Sequence, residues 1–353
     1  MQEYLNIFID SEYPAFLDKY SNVRTLERIK HVTQYCGSDY TALYNPRFTL
    51  TRFDHSLIVA HITWHFTHDE KATIAAFLHD ATMPCFAHAI DHALGDSVNQ
   101  ESSEGRLIDF ILKDGELQEL LSSDGISMDD LSNLSKYPIL ENKSPKLCAD
   151  RLDGVLHTTY VWLNRGSLDE IKRIYDNLVV LKNEDGYDEI GFKSSDIALE
   201  FVQMTKTYAL ELQGNRDKFV TQYVADVVKD GVERGLFSIN DLYTESEDRI
   251  VDIISENYPS WQSFADATDV KSSEDEPKQY YVSVETKKRN VIPLVERPNG
   301  AKRITELSVE ARDVYDYIEH FRDAKYAFVD GIKDFKNGVS VPKKLLFDKQ
   351  ANM

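Results

Sequence analysis

Three cysteines, Cys36, Cys85 and Cys148, are all that occur in 353 residues. They are far apart, odd in number and form no CxxC pair, so they make neither a disulfide framework nor a zinc ribbon. Each reads as a small buried hydrophobe, and a reducing cytoplasm suits them best. Long apolar runs are missing too. None approaches the ~18 residues that a membrane span needs, which excludes an integral membrane protein. The N-terminus, MQEYLNIFIDSEYPAF, has acids where a secretory leader would start basic, so no secretion is expected. Positive charge is scarce: 40 Lys and Arg stand against 60 Asp and Glu, a formal net charge of −20. Such a body repels a phosphate backbone, so duplex nucleic acid is excluded as a bulk partner. A small phosphorylated molecule can still bind where one pocket is locally positive or holds a metal. There is no GxGxxG, P-loop, nucleophile elbow, internal repeat or low-complexity tract.

What the chain does have is hydrophobic content, 42%, and enough length to bury a sizeable core. Helical periodicity dominates the first ~255 residues. It predicts helices over Arg24–Cys36, Asp54–Phe66, Glu70–His79, Phe86–Leu94 and Glu101–Leu112. A longer one is expected over Pro145–Asn164, with Pro145 near its first turn. Others follow over Ser167–Lys182, Ser195–Gly214 and Asp217–Arg234, with Ser238-Ile239-Asn240 as a cap before the next. The character changes after Trp261. Residues 266–277, DATDVKSSEDEP, read as a linker or exposed loop. Tyr280–Val284 reads as a strand, with Asn290–Val295 as its hairpin partner, and Pro298-Asn299-Gly300 as a turn. Ser308 caps a further helix through Phe321. From Lys278 onward basic residues outnumber acidic ones, which suggests that this segment docks onto the acidic body or onto a second subunit. The expected fold is mainly α: a helical domain over 1–265, then a linker and a small α+β extension over 266–353.

Six of the ten histidines fall between His55 and His88. Imidazoles and carboxylates are the ligands that first-row divalent metals choose. The sharpest element is His79-Asp80 after the apolar run IAAFL: a buried helix that ends on polar side chains, either metal ligands or helix caps. RFDHS (52–56) opens one helix, HDATMPCFAHAIDH (79–92) ends the next and starts another, and Asp150 sits in CADRLDG.

This H…HD…D pattern on separate helices resembles the HD-domain metal-dependent phosphohydrolase superfamily. Within it, the RF-acid-HS run and the spacing after His79-Asp80 resemble the deoxynucleoside triphosphate triphosphohydrolases, over roughly residues 20–240. The resemblance implies that His55, His79, Asp80 and Asp150 hold one divalent metal ion, whether Mn, Fe, Zn, Ni or Mg. It implies that Arg52 and Arg151 contact substrate phosphate, which suits a guanidinium's paired donors. It implies that His88 serves the leaving group, oriented by Asp91 three residues on. Such a His–Asp pair can keep the imidazole charged near neutral pH, as a proton donor. It also implies a homo-oligomer.

The chain departs from that pattern. Met83 stands where a histidine is usual in HDxxH, Gln100 where another is common, and Gly154 and Thr158 replace a tyrosine and an aspartate that frame the sugar. The metal set is complete while the leaving-group and sugar-reading sets are depleted. Three readings follow: a phosphoester or phosphoanhydride hydrolase acting on a nucleotide; a nucleoside monophosphatase or cyclic-nucleotide phosphodiesterase; and a non-catalytic module that binds metal and nucleotide. Of the remaining candidates, Asp153, one turn after Asp150, reads as a neighbour supporting the metal set. His61, His65, His68 and His92 read as surface or supporting groups. His31, His157 and His320 belong to no visible constellation. Tyr160 and Trp162 read as core rather than base pocket.

Overall fold

Asp54, the acid of RFDHS, starts the helix that organises the molecule. In the computed structural model, Thr51 caps the helix Arg52–Thr67: its hydroxyl accepts from the Asp54 amide, and the Asp54 carboxylate accepts from the Thr51 amide at 2.9 Å. This reciprocal box satisfies donors that a helix start leaves open. His68, in the left-handed region, ends the helix, and Asp69 caps the next, Glu70–Leu78. The two helices pack along each other, and residues Ala72 through Leu78 of the second are buried throughout. Burial on every side leaves His79-Asp80 at the end of a buried rod.

The structure describes residues 1–9, 13–100, 106–333 and 335. Helices dominate, with a four-stranded and a two-stranded sheet. Ala89–Ala93 rests on the long helix Asn215–Glu233, which follows Ser195–Gln213 after a break at Gly214. Gly37 lies against the same long helix. A Cβ there would come within 2.9 Å of Val224 Cγ2, and its φ of +88° also favours glycine.

Several expected elements are shorter than their periodicity. The helix over 24–36 stops at Ile29, because the chain turns to bridge Thr33 to Thr51. The helix over 86–94 begins only at Ala89. Phe86 and Ala87 have positive φ, and the Phe86 amide is taken by the buried Glu247 carboxylate at 2.7 Å. Of 101–112, helix forms over Leu107–Ile111, while 101–105 lie outside the described residues. The helix expected from Pro145 starts at Ala149 and runs to His157, then widens into a π-turn over Thr158–Trp162.

Two corrections concern strands. Ser167–Lys182 is helix only over Leu168–Asp176, while Leu178–Lys182 pairs antiparallel with Asp188–Phe192. LVVLK carries the β-branched pair Val179-Val180, and the Asn183 side chain accepts from the Asp185 and Tyr187 amides to shape the hairpin turn. The hairpin expected between 280–284 and 290–295 does not form. Val282 makes one bridge, to Ala327, and Leu294–Val295 adds parallel to Gly191–Phe192 and antiparallel to Lys302–Arg303. The turn at 298–300 therefore closes this second pair. Within the expected linker, Lys271–Ser273 pairs with Tyr326–Phe328. The helix Val309–His320 is capped by Ser308 as expected.

The strands brace the approach to Asp150. Glu189 is fully buried and accepts from the Leu147 amide at 3.1 Å and from both terminal nitrogens of Arg303 at 2.5 and 2.8 Å. On the other side, the Ile292 amide donates to the Pro145 carbonyl at 2.8 Å. The segment after Lys278 thus docks onto the body of its own chain. No helix among the described residues is long and apolar enough to cross a membrane.

Candidate metal centre

The site forms where three helix ends meet. His55 lies in the first turns of Arg52–Thr67, His79-Asp80 follow the end of Glu70–Leu78, and Asp150 lies in the first turn of Ala149–His157. His55 Nε2 is 3.1 Å from Asp150 Oδ1 and 3.8 Å from Asp80 Oδ2. His79 Nε2 is 3.7 Å from both Asp80 Oδ1 and Asp150 Oδ1. The two rings lie edge to face with centroids 5.2 Å apart. Among the described residues two groups have ligand atoms close enough together to share one ion, His55, His79 and Asp80 here and His55, Asp153 and His157 behind them.

Which nitrogen each ring offers is fixed from behind. His79 Nδ1 donates to the Ala76 carbonyl at 2.7 Å, and His55 Nδ1 lies 2.6 Å from Asp153 Oδ2. Both Nε2 atoms therefore face the carboxylates. His79 Nε2 is buried and has no hydrogen-bond partner. A buried polar atom without a partner costs free energy unless something occupies it. The donor set is two imidazoles, each held at Nδ1, and two carboxylates, and that fits a first-row divalent cation.

Charge is balanced tightly here. Burial alone would raise the Asp80 carboxyl, yet His79, Arg52 and His55 outweigh it and hold it down to about 2. Asp150 is likewise held well below its ordinary range, burial being overcome by His55 and His79. Burial pulls the His55 imidazole down, but hydrogen bonds to Asp150 and Asp153 carry it up to about 10.

Behind His55 sits a buried relay that the sequence showed only in part. Asp153, fully buried, accepts from the Tyr4 hydroxyl at 3.1 Å and meets His157 Nδ1 at 3.1 Å as well as His55. Asp150 and Asp153 stand one turn apart, so one helix serves both nitrogens of the same ring. His157, which showed no constellation in the sequence, belongs to this one. Its spacing of four from Asp153 was the available signal. Tyr4 comes from the N-terminal helix Gln2–Phe8, and no local pattern announced it.

The predicted substrate-side residues are placed unequally. Arg52 is buried and donates to Asp80 at 2.8 Å, while its Nε has no partner. Arg151 is turned away: its guanidinium donates to Glu141 Oε1 and Asn142 Oδ1, each at 2.6 Å, and to the carbonyls of Asn142 and Lys146. Its donors hold the 141–146 loop. His88 Nδ1 lies 3.0 Å from Asp91, which is fully buried. The surroundings of His88 work against the charge that the sequence reading gave it. Burial pushes its imidazole below the ordinary value, and Arg52 and Arg289 add to this against Asp91. With Nδ1–H held by Asp91, a neutral His88 offers the Nε2 lone pair.

The departing positions also find uses. Gln100 is buried and accepts from Arg289. Met83 is buried, and its carbonyl accepts from Arg28. A Cβ on Gly154 would meet nothing within 4 Å, so there is open space beside Asp150. Thr158, Tyr160 and Trp162 are buried, and Trp162 stacks on Tyr44 with centroids 4.6 Å apart. His61 and His92 are not surface groups. Both are almost fully buried, His92 against Gln222 at 3.2 Å and His61 against the Tyr13 ring.

No family model matches this chain. Over 156 residues it is 27% identical to an uncharacterized protein, YdhJ, of Bacillus subtilis, which covers 44% of this chain and 46% of that protein. Over 156 residues it is also 27% identical to a protein of Cordyceps militaris named metal-dependent phosphohydrolase cns2, covering 43% of each. The match spans less than half the length of these curated relatives. A hypothetical protein from Aquifex aeolicus has a similar solved structure, with a TM-score of 0.57 at 20% identity over 90% of this chain and 92% of that one. That likeness shows a shared fold.

Proposed function

We propose that this chain is a metal-dependent phosphohydrolase of the HD superfamily that cleaves a phosphoester or phosphoanhydride of a nucleotide. The observation that carries this is the pair of imidazole Nε2 atoms turned onto Asp80 and Asp150, one of them buried without a partner. His55, His79, Asp80 and Asp150 would hold the ion. A divalent cation there supplies Lewis acidity to a phosphoryl oxygen and makes a water acidic enough to act as nucleophile near neutral pH.

The chain's own residues do the rest. Arg52, anchored through Nη1 to Asp80, directs its unpartnered Nε–H to a phosphate oxygen. His88, neutral and held by Asp91, accepts a proton through Nε2 from the attacking water or hands one to the leaving oxygen once charged. Asp153 keeps His55 turned with Nε2 forward. Arg151 fixes the loop that precedes Asp150. The name of the Cordyceps relative agrees with this chemistry.

The nucleotide is the finer part of the proposal. The deoxynucleoside triphosphate branch predicts nucleoside and triphosphate as products. A monophosphatase gives orthophosphate, and a cyclic phosphodiesterase gives an opened ring. Product chromatography with Mn²⁺ and a panel of deoxy-, ribo-, mono- and cyclic nucleotides separates them, with Asp80→Ala as control. Product formed by the wild type and lost in the variant supports hydrolysis. Saturable nucleotide binding with no product from any member favours the non-catalytic module.

A further inference from the structure

Arg289 lies in the segment that docks the C-terminal region, 139 positions after Asp150. Its backbone neighbourhood is held at several points. The Ser144 hydroxyl donates to the Asn290 carbonyl at 3.3 Å, the Ile292 amide to the Pro145 carbonyl at 2.8 Å, and Lys287 Nζ to the Asn99 carbonyl at 2.8 Å. The guanidinium is half-buried and donates to Gln100 Oε1 and, at 3.4 Å, to the Tyr208 hydroxyl. Both acceptors are neutral. Arg52 is paired with Asp80 and Arg151 with Glu141, but among the described residues no carboxylate pairs with Arg289. Asp217 is near enough to feel it, yet burial pushes that carboxyl up to about 8 and leaves it uncharged near neutral pH.

This charge sits against the elements that carry the proposed site: the Gln100 amide donates to the Asp96 carbonyl at 3.1 Å and the Asp96 amide to the carbonyl of Asp91, the partner of His88, at 2.8 Å, while Tyr208 lies on the helix Ser195–Gln213, which packs against Ala149–His157. His88 and Cys36 each feel the fields of both Arg52 and Arg289. The imidazole thus has one guanidinium from the metal-side helix and a second from the C-terminal segment near it. A half-buried guanidinium with neutral partners still has charge to give, and an oxyanion is the group whose geometry it matches.

We propose that Arg289 is a substrate-binding residue, and that the docked C-terminal segment completes the active site by presenting it to a second phosphoryl group beyond the one at Arg52. This rests on the phosphohydrolase reading. It assigns a phosphoanhydride, rather than a monoester, as the class of substrate. Gln100 and Tyr208 position the guanidinium.

The test is binding of inorganic pyrophosphate and of orthophosphate to the Mn²⁺-loaded full chain by calorimetry, with bound Mn²⁺ and melting temperature measured on every variant. Arg289→Ala should weaken pyrophosphate binding by roughly 10- to 100-fold, as loss of a charged hydrogen-bond pair does. Orthophosphate binding and Mn²⁺ content should stay within about two-fold of wild type. Arg289→Lys should recover part of the loss, because it restores the charge without the fork. Lys287→Ala, which loosens the same segment, should have a smaller effect. Unchanged pyrophosphate binding in Arg289→Ala, or an equal loss in Lys287→Ala, overturns the inference while leaving the phosphohydrolase reading standing. A wild type that binds neither Mn²⁺ nor pyrophosphate overturns both.

Discussion

At the scale of single residues, the account turns on how neighbours set the two faces of a ring. His55 reaches the site only because Asp153 holds its Nδ1, and Asp153 is fully buried among Tyr4, His55 and His157. Asp153→Asn keeps the shape but weakens the grip, so Mn²⁺ affinity should fall by roughly 10- to 100-fold with the fold retained. Titration of the metal-free variant with Mn²⁺ checks it. His88 behaves differently. Its replacement by Gln should leave bound Mn²⁺ unchanged while turnover drops by roughly 10²- to 10⁴-fold, the usual contribution of a positioned acid or base. The rate profile of the wild type should then lose activity as pH falls and His88 takes up a proton before substrate binds. Buried His61 sets a separate pH effect. Burial pushes it down to about 4, below the ordinary 6.5 of an unfolded chain. The folded state therefore binds fewer protons, and the stability this group contributes is present above about pH 6.5 and lost as pH falls toward 4. The sum is on the order of 3 kcal/mol at most, and His61→Leu should flatten that part of the denaturation-against-pH curve relative to wild type.

Single elements explain what the sequence could and could not reveal. RFDHS was legible because a capping box is local: Thr51, Arg52, Asp54 and His55 are set by one helix start. Thr51→Ala should lower stability by about 0.5–2 kcal/mol and, since the same turn aims Arg52 and His55, lower kcat/KM as well. Urea denaturation and steady-state kinetics on one preparation test both. His79-Asp80 was legible for the same local reason. The strand at Leu178–Lys182 was hidden because an amphipathic helix runs into it without a glycine or proline between, and only the β-branched pair Val179-Val180 marks the change. The expected 280–284 and 290–295 hairpin failed for the opposite reason. Its composition was locally sound, but Leu294–Val295 has a better partner in Gly191–Phe192, which is 103 positions earlier. His157 was missed although it stands four residues after Asp153, because that spacing alone does not tell a buried pair from two solvated side chains.

For the whole molecule, the sheet and C-terminal segment act as a brace for the site rather than as an appendage. Buried Glu189 joins the Arg303 guanidinium to the Leu147 amide, three residues before Asp150. Breaking a buried pair by removing one partner destabilises by about 3–5 kcal/mol, and Glu189→Ala should show this in the unfolding transition. None of this was readable in sequence order: Glu189, Arg303 and Leu147 come from three distant segments. The acidic body and the guanidinia of Arg52 and Arg289 fit together in the same sense. A net charge of −20 repels extended polyanions, while local positive charge admits a small one.

The central claim is that His55, His79, Asp80 and Asp150 form one metal site. Equilibrium binding of Mn²⁺ to the metal-free chain, by calorimetry, tests it most directly. The account predicts one saturable ion per chain in the wild type and none in Asp80→Ala, with both proteins folded by circular dichroism. Saturable binding that survives unchanged in Asp80→Ala, or no binding by a folded wild type, would contradict it.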